Sequence, residues 1–361
     1  MTKQNLYVDI NVLQTVPSSN INRDDTGAPK TAVFGGVTRS RVSSQSWKRA
    51  IRQLFEQQSD GADWLDGIRS TQLPVLLADK IQELDSELAH DEATDLSLAV
   101  FKQAGIKVDK NTQNTRALLM LSEGQLTKLA KYVTENDEID KKAIKQTLKS
   151  NNSLDLALFG RMVADDNSLN VDASCQVAHA VSTHELVPEF DYFTAVDDEQ
   201  KAAGSAMIGT VEYNSATLYR YANVNMNELI HNLGDFDVAI KGLKLFVKDF
   251  ILSMPTGMQN SFANKTVPQY VMVTVRQDTP VNLVSAFEEP VTSRNGYVQP
   301  SIEKLEAEYV KTQKFVEKPV ALFVLTNENS ELKEQADDLN TLLNNVAHTI
   351  ETRVSDENSN N

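Results

Sequence analysis

The chain has 361 residues, with 35 Lys or Arg, 50 Asp or Glu, a formal charge of −15 and 41% hydrophobic residues. This composition excludes a disordered tail, and the longest apolar runs, residues 73–78 and 320–325, are far shorter than the roughly 20 residues that span a bilayer. Asp9 and Asn11 interrupt the first apolar stretch, so it does not resemble a signal peptide and we expect a cytoplasmic protein with no membrane partner. Cys175 is the only cysteine, which excludes an intrachain disulfide and a cysteine-based zinc cluster.

Charge is distributed unevenly along the chain. Residues 26–55 contain six basic side chains and no acidic one, whereas residues 56–115 and 326–361 have local charges of −7 and −6. A basic stretch in an acidic chain is a candidate anion-binding site. The alternative is that its cations form ion pairs with the acidic segments elsewhere in the fold.

The first predicted element is a strand, because apolar residues alternate with more polar ones over residues 6–12, as in a half-buried strand. A loop rich in Ser, Asn, Asp, Gly and Pro follows over residues 17–36. Its Gly35–Gly36 pair would permit either a tight turn or a close approach of the backbone to a ligand. A short strand is predicted over residues 37–42.

A helix is predicted next, with the hydroxyls of Ser43 and Ser44 available as caps. Its core-facing residues recur at helical spacing and are Trp47, Ala50, Ile51, Leu54 and Phe55. Gln45, Lys48, Arg49 and Arg52 lie off this stripe, so the first turns offer backbone donors, hydroxyls and cations together, which suits phosphate binding. We expect charge reversal at Lys48 and Arg52 to leave the fold intact.

The remaining pattern predicts an α+β domain with a helical insertion and one long hairpin. Predicted helices cover residues 73–88, 95–104, 117–133, 141–148, 236–251 and 301–315, with a polar helix and a disordered end over 355–361. Predicted strands cover residues 174–183, 205–213, 216–223, 270–275 and 320–325. A turn at Asn214 and Ser215 would join two of these strands into a hairpin.

Metal-binding patterns are weak. His179 and His184 lie beside Glu185, but on a strand their side chains would point to opposite faces. The pairs Asp24–Asp25 and Asp197–Asp198 could hold magnesium, although adjacent carboxylates are also common in turns. The chain has no Walker motif, no GxGxxG and no GxSxG, so we expect no cofactor, no metal and no enzymatic activity.

Four short segments carry a family resemblance: residues 22–25 (NRDD), 34–36 (FGG), 41–46 (RVSSQS) and 48–50 (KRA). Together they resemble the N-terminal signature of the CasC (Cse) family, the crRNA-binding backbone subunit of the type I-E CRISPR surveillance complex Cascade. Further similar stretches follow in family order at residues 158–162, 178–180, 191–198, 204–206, 219–225 and 296–301. The last forty residues and the acidic part of the insertion match poorly.

The resemblance implies a fold with an RRM-like (ferredoxin-like) palm, an inserted helical fingers subdomain and a β-hairpin thumb. The implied palm segments are residues 1–58, 171–190 and 223–325. The fingers would occupy residues 59–170, the thumb residues 191–222, and an acidic helix and tail residues 326–361.

The resemblance also implies a function without catalysis in antiviral defence. Copies of the chain, typically six in the family, would stack into a helical filament along crRNA beside other Cascade subunits. Each thumb would displace one guide base, and target DNA would pair with the guide in the segments between thumbs.

The implied crRNA contacts are Arg23, Ser43, Gln45, Lys48, Arg49, Arg52, Met162, Gln259, Asn260 and Arg294. The implied base-displacing residues of the thumb are Tyr192, Phe193, Thr194, Val196 and Ile208. Apolar wedges of this kind unstack bases, but ordinary hairpin packing is the alternative for each of them.

Lys141, Lys142 and Lys145 are expected, by the same resemblance, to face DNA. With Lys149 they lie on one predicted helix, where i, i+4 and i+8 spacing aligns three of the four. The alternative is a solvated helix face that balances the acidic residues just before it.

Two other functions remain open from the sequence. Related backbone subunits of type III complexes cut target RNA with a loop aspartate, so Asp24 or Asp25 could perform metal-assisted cleavage. The chain could also be an unrelated α+β interaction protein whose basic helix pairs with its acidic segments.

Overall fold

The computed structural model describes residues 5–59, 64–109, 111–195 and 207–359. Its strands are β1 (Tyr7–Ser19), β2 (Thr31–Phe34), β3 (Val37–Val42), β4 (Gly67–Ser70), β5 (Leu119–Ser122), β6 (Cys175–Val177), β7 (Ala180–Ser182), β8 (Glu189–Ala195), β9 (Met207–Asn225), β10 (Tyr270–Arg276) and β11 (Ala321–Thr326). Its helices are α1 (Ser44–Gln58), α2 (Leu73–Leu84), α3 (His90–Ala104), α4 (Glu123–Glu135), α5 (Lys141–Lys149), α6 (Leu154–Phe159), α7 (Met226–Leu233), α8 (Phe236–Leu252), α9 (Gln259–Phe262), α10 (Val298–Thr312) and α11 (Leu339–Ser359). Within these described ranges, no helix has the length and apolar character needed to cross a membrane.

The large sheet confirms the α+β prediction. Its strand order is β11-β10-β1-β9-β7-β3-β2, with β6 and β8 also paired to β9. Four of these strands, β10-β1-β9-β7, are neighbours in space, and α1 and α8 connect them in a β-α-β-β-α-β sequence. This is the ferredoxin-like arrangement expected of an RRM-like palm.

β1 lies inside the sheet, between β10 and β9, and is covered on both faces. It pairs antiparallel with β10, and residues 8–14 are all buried, so the expectation of a half-buried strand is wrong. The polar residues on β1 are satisfied by β9: Tyr221 and Tyr219 donate their hydroxyls to Asp9 and Asn11, each at 2.7 Å. The polar side chains at alternate positions of β1 therefore form hydrogen bonds within the protein in place of hydrogen bonds to water.

The long strand β9 corrects the predicted hairpin. It runs without interruption through Asn214 and Ser215, where a turn was predicted. Asn214 is buried, and its Oδ1 accepts a hydrogen bond from the Ser40 hydroxyl at 3.1 Å. The observed hairpin pairs β8 with the first part of β9, from Glu189 opposite Tyr213 to Ala195 opposite Met207.

The structure divides into two compact units. The first comprises Met1–Ile51, Val177–Asn223 and Phe246–Asn361, and the second comprises Arg52–Gln176 and Val224–Leu245. The second unit thus includes residues 224–245, which belong to the palm in the division implied by the family resemblance. Within that unit, the Asn232 amide donates to the carbonyls of Ala157 and Asp172 at 3.1 and 2.8 Å. The finer division into palm, fingers and thumb remains a prediction.

The second unit contains the expected helices around its own apolar core. Arg161 crosses this core and donates to the carbonyls of Leu169, Met120 and Leu148 at 2.7–3.2 Å. Burial lowers the pKa of Arg161 to about 10. The small β4–β5 sheet and helix α7 were not predicted from the sequence.

The C-terminal helix α11 lies in the first unit and buries Leu342, Val346 and Ile350. It continues to Ser359, so the prediction of disorder is wrong for residues 355–359.

Candidate nucleic-acid interface

The loop that carries Arg23 is tied to the start of α1. The Asn22 Oδ1 accepts a hydrogen bond from the Ser43 N–H at 2.8 Å, and the Asn22 carbonyl accepts one from Lys30 N–H at 2.9 Å. Arg23 itself is exposed. Ser43 is buried and its hydroxyl accepts from Ser46 N–H at 3.4 Å, which confirms its predicted capping position.

The glycine pair forms the tight turn between β2 and β3. Gly35 and Gly36 have φ of 62° and 80°, the left-handed conformations required at both centres of a type I′ turn. A Cβ at Gly35 would lie 1.6 Å from the Glu288 carbonyl oxygen. The close approach at Gly35 is therefore to the chain's own backbone.

The predicted core position of Trp47 is confirmed. Trp47 is buried under Arg220, whose guanidinium carbon lies 3.7 Å from the indole centroid and 4.8 Å from the Phe250 centroid. Arg220 also donates to Gln14 Oε1 at 2.5 Å and to the Phe250 carbonyl. Burial lowers the pKa of Arg220 to about 9.

The outward face of α1 presents Gln45 and Arg49, both exposed, with Lys48 half-buried between them. The structure therefore places these side chains beside the Arg23 loop, because Asn22 holds the residue that caps the helix. Exposed donors and cations at a helix N-terminus are suited to phosphate contact.

Not every cation in residues 26–55 is available to a ligand. Arg39 is buried and donates to the carbonyls of Phe34, Ser182 and Phe287 at 2.8–3.1 Å. Burial lowers its pKa. Arg41 donates to the Thr31 carbonyl at 2.9 Å. Counting charges along the sequence therefore overestimated the basic surface.

Arg52 has an intramolecular partner within the second unit. Its Nε lies 2.7 Å from Asp155 Oδ2, and its Nη2 donates to the Gly67 carbonyl at 2.8 Å. The Asp155 side chain is fully buried. This pairing argues against the expectation that charge reversal at Arg52 leaves the fold intact, because the reversal would leave a buried carboxylate facing a second anion.

A second loop lies against the Arg23 loop. A Cβ at Gly257 would be 2.5 Å from the Ile21 carbonyl oxygen, so the two backbones are in direct contact. Short helix α9 follows, between Met258 and Ala263, which both adopt left-handed φ angles of 49° and 47°. This places Gln259, which is half-buried, and Asn260, which is exposed, beside the Arg23 loop. The sequence feature that could have indicated this second loop is Gly257, which follows Pro255 and Thr256 in a turn-like sequence.

We define the guide surface as the described residues that this packing brings together: Arg23, Gln45, Lys48, Arg49, Gln259 and Asn260. Arg294 is exposed in the loop before α10, and Met162 is 78% exposed in the second unit. Their roles as crRNA contacts remain predictions.

The β8–β9 hairpin has two different faces. Cross-strand register places Tyr192, Thr194 and Ile208 on one face, and Tyr192 and Ile208 are 63% and 62% exposed. Phe193 lies on the other face and is half-buried, because its ring covers Gly209: a Cβ there would be 2.4 Å from Phe193 Cζ. Val196 lies outside the described residues.

Comparison with known proteins decides the family. The model of the family described as CT1975-like protein matches residues 8–351. The chain belongs to the CT1975-like protein family. A search of curated proteins finds no match.

Two solved structures resemble this CT1975-like protein over 95% of its length and 99% of theirs. One, titled "CRISPR RNA-guided surveillance complex, pre-nicking", has 32% identity and a TM-score of 0.84. The other, titled "CRISPR RNA-guided surveillance complex", has 28% identity and a TM-score of 0.64. The similarity covers nearly the whole chain and agrees with the mixed α+β architecture.

Helix α5 of the CT1975-like protein presents Lys141 and Lys142 to solvent. Lys145 instead forms an ion pair with Asp166 and a hydrogen bond to the Ser168 hydroxyl at 3.4 Å. Hydrogen bonds from Lys145 and Ser168 lower the pKa of Asp166 to about 2. The charge of Lys145 is therefore neutralised locally, unlike that of the first two lysines.

The Asp24 carboxylate accepts hydrogen bonds from its own loop. Its Oδ1 accepts from Thr26 Oγ1, Thr26 N–H and Ala28 N–H at 2.7, 2.9 and 3.1 Å. The hydrogen bond from the Thr26 hydroxyl is the main reason that the pKa of Asp24 is lowered. Across the part of the chain that the structure describes, no group of three His, Cys, Asp or Glu could hold a metal ion. Asp197 and Asp198 lie outside that part.

The two histidines have separate environments. The His184 ring is buried, lies against Tyr297 and receives a hydrogen bond from Thr217 N–H at 3.1 Å. His179 instead lies 3.2 Å from the Arg41 guanidinium. Burial is the main reason that the pKa of each is lowered.

Proposed function

We propose that this CT1975-like protein is the non-catalytic, crRNA-binding backbone subunit of a type I-E CRISPR surveillance complex. Several copies would bind along one guide RNA, together with other Cascade subunits, and present the guide in segments to target DNA in antiviral defence. The similarity to chains of two CRISPR RNA-guided surveillance complexes supports this function.

The observation that carries the proposal is the convergence of three chain segments at the guide surface. Asn22 connects the Arg23 loop to the start of α1, and Gly257 brings the α9 loop against the same residues. The segments are far apart in sequence, yet their exposed donors face solvent together. Such a surface contacts phosphate and ribose and does not read base identity.

The spread of the guide surface over three chain segments favours an extended polyanion over a small anion. The chain is strongly acidic overall, so long-range attraction for polyanions is weak and binding must arise from this local basic surface. An extended single strand can contact all three segments at once, whereas a small anion can contact only one of them.

The test is a charge reversal on the guide surface with a matched control. Arg23→Glu combined with Arg49→Glu changes two exposed cations, and Lys333→Glu with Arg353→Glu makes the same charge change on α11 and the loop before it. RNA retention is measured as the absorbance ratio at 260 and 280 nm after purification with the guide.

We expect the first variant to lose RNA and the control to retain it. The proposal is contradicted if both variants retain RNA equally, or if the unchanged protein carries none. Thermal unfolding of both variants shows whether any loss reflects misfolding.

A further inference from the structure

The turn that follows helix α10 presents an aromatic side chain to solvent. Phe315 is 90% exposed, more than any other large apolar side chain among the described residues. A single exposed apolar side chain is ordinary on a protein surface and does not by itself indicate a binding site. The neighbours of Phe315 make the position informative.

Three lysines flank this aromatic residue. Lys311, Lys314 and Lys318 are all exposed. Lys311 approaches Glu308 at 3.7 Å, and its side chain remains 71% exposed. Residues 309–320 contain these three lysines and one acidic residue, which gives a local charge of +2 in a chain whose total charge is −15. The turn is therefore a locally basic part of an acidic protein.

Helical geometry places the cations and the aromatic ring on the same side. The Lys314 N–H donates to the Lys311 carbonyl at 3.2 Å, and the Phe315 N–H donates to the Thr312 carbonyl at 2.9 Å. Residues three and four apart in such a path are neighbours on its surface, so Lys311 adjoins both Lys314 and Phe315. We define the turn surface as these three residues and Lys318.

The backbone that carries the turn surface is anchored. The Glu317 N–H donates to Asp278 Oδ2 at 3.0 Å, and the Glu317 carbonyl accepts from Arg276 at 2.6 Å. Arg276 is buried and also forms an ion pair with Asp278 at 3.1 Å. The Phe315 ring thus extends from a fixed backbone, so little ordering entropy is lost when a ligand binds it.

The turn surface is separate from the guide surface. Arg276, which anchors the turn, pairs with Tyr7 at the start of β1. The Arg23 loop follows the other end of β1, at Ser19. This strand has 13 residues and a length of about 40 Å. A ligand on the turn surface therefore does not share its contacts with RNA on the guide surface.

The chemistry of the turn surface favours an unpaired nucleic-acid strand. Proteins that bind single strands combine cations along the phosphates with an exposed aromatic ring on which a base stacks. Protein interfaces are instead depleted in lysine, the side chain that supplies all three cations here. A duplex keeps its base faces stacked on one another, so it offers no face to Phe315.

We propose that the turn surface binds single-stranded DNA, namely the strand of a target duplex that does not pair with the guide. This inference rests on the proposed function, because pairing of the guide with one strand of a duplex leaves the other strand unpaired. Phe315 stacks on one base and the lysines contact the adjacent phosphates. Binding is independent of sequence, since every base has a face for stacking.

The first test measures how the complex of this chain with guide RNA binds a labelled oligothymidylate. The guide contains no adenine, so the probe cannot pair with it. Affinity is measured by fluorescence anisotropy at several salt concentrations. The variants are Lys314→Ala with Lys318→Ala, Phe315→Leu and Phe315→Trp. Lys333→Ala with Arg353→Ala removes two exposed cations elsewhere in the first unit and is the control.

We expect the loss of Lys314 and Lys318 to weaken binding about tenfold and to reduce the salt-dependence slope by about 1.4, because two phosphate contacts are lost. Phe315→Leu should also weaken binding about tenfold, with an unchanged slope, because leucine is apolar but has no face for stacking. Phe315→Trp should bind as the unchanged chain does. The control should retain both affinity and slope.

The second test locates the strand on the protein. A target duplex carries 5-bromodeoxyuridine in the strand that does not pair with the guide, and the complex is irradiated after it has bound this duplex. Mass spectrometry of the digested protein identifies the crosslinked peptides. We expect a labelled peptide that contains Phe315, and we expect its labelling to fall in the Lys314→Ala, Lys318→Ala complex.

The proposal is overturned if the lysine variant or Phe315→Leu binds oligothymidylate as tightly as the unchanged complex. It is also overturned if the bromodeoxyuridine strand labels only other segments or other subunits. In each case the retention of guide RNA after purification still supports the guide surface. Absence of guide RNA from the unchanged protein would instead contradict the proposed function.

Discussion

Arg52 and Asp155 form an ion pair of 2.7 Å in which the carboxylate is fully buried and the guanidinium is 27% exposed. Residues 103 positions apart in sequence are thereby joined within the second unit. Arg52 lies off the apolar stripe of α1, as Lys48 and Arg49 do, and its side chain pairs with the buried Asp155.

Replacing Arg52 should therefore affect stability. We expect Arg52→Ala to lower the free energy of unfolding by about 3 kcal/mol, because Asp155 would remain buried without its cation. Urea denaturation measures this, and Arg49→Ala on the exposed side of α1 is the matched control. Equal stability of the two variants would show that Asp155 is satisfied without Arg52.

The packing of Phe193 on Gly209 predicts a difference within the hairpin. We expect Phe193→Ala to lower the melting temperature by a few degrees, because about 1 kcal/mol of cross-strand packing is lost. Tyr192→Ala and Ile208→Ala should leave it nearly unchanged, since both side chains are exposed. If Tyr192 and Ile208 act on guide bases, the regular spacing of reactive guide bases in chemical probing will be lost in the Tyr192→Ala and Ile208→Ala complexes. It will be retained in the Phe193→Ala complex.

The buried carboxyl of Asp9 predicts a pH dependence of stability. Burial raises the pKa of Asp9 from 3.8 to about 6, against the opposing effect of hydrogen bonds from Tyr221 and Val281. The folded state binds the Asp9 proton more tightly than the unfolded state does, so this proton stabilises the fold. The stabilisation is fully present below pH 3.8 and is lost as the pH rises through about 6.

We expect Asp9→Asn to remove this decline between pH 4 and about 6, measured by urea denaturation at several pH values. Asp137→Asn makes the same chemical change at an exposed position and should retain the decline. If stability changes with pH in the same way in Asp9→Asn and in the unchanged protein, the raised pKa of Asp9 is contradicted.

Three of the four lysines of α5, Lys141, Lys142 and Lys145, should differ in what their replacement affects. We expect Lys141→Ala with Lys142→Ala to weaken DNA binding by the assembled complex and to reduce its salt-dependence slope by about 2. Lys145→Ala should mainly cost stability, about 1 kcal/mol, because it removes the partner of Asp166. Lys102→Ala with Lys333→Ala, at exposed positions elsewhere, is the control for charge.

Absence of catalysis is a further prediction. With magnesium or manganese present, we expect the assembled subunit to cleave neither guide RNA nor target RNA nor target DNA. The reason is that the Asp24 carboxylate already accepts hydrogen bonds from Thr26 and Ala28. Gel analysis of labelled strands measures this. Products that disappear in Asp24→Ala would favour metal-dependent cleavage by a type III-like subunit.

The sequence predicted elements with strong periodicity better than connections set by distant contacts. The helices α1, α8 and α10 and strand β10 follow from spacing alone. The turn predicted at Asn214 failed because Ser40, far away in sequence, satisfies the amide that usually favours a turn. Tertiary contacts overrode the local preference.

The candidate site shows the same limit. Exposed Arg23 and Arg49 could be proposed from local sequence and family resemblance. The burial of Arg39 could not, since its carbonyl partners include Ser182 and Phe287, far along the chain. Charge composition counts cations, but only the fold determines which ones reach solvent.

The chain's two tryptophans lie in different units, since Trp47 belongs to the first and Trp64 to the second. Trp47 is 1% exposed beneath the Arg220 guanidinium, whereas Trp64 is partly exposed. Intrinsic fluorescence can therefore follow each unit separately: a Trp64→Phe protein would emit only from the first. Comparing its denaturation curve with that of the unchanged chain would reveal whether the halves unfold together or in succession.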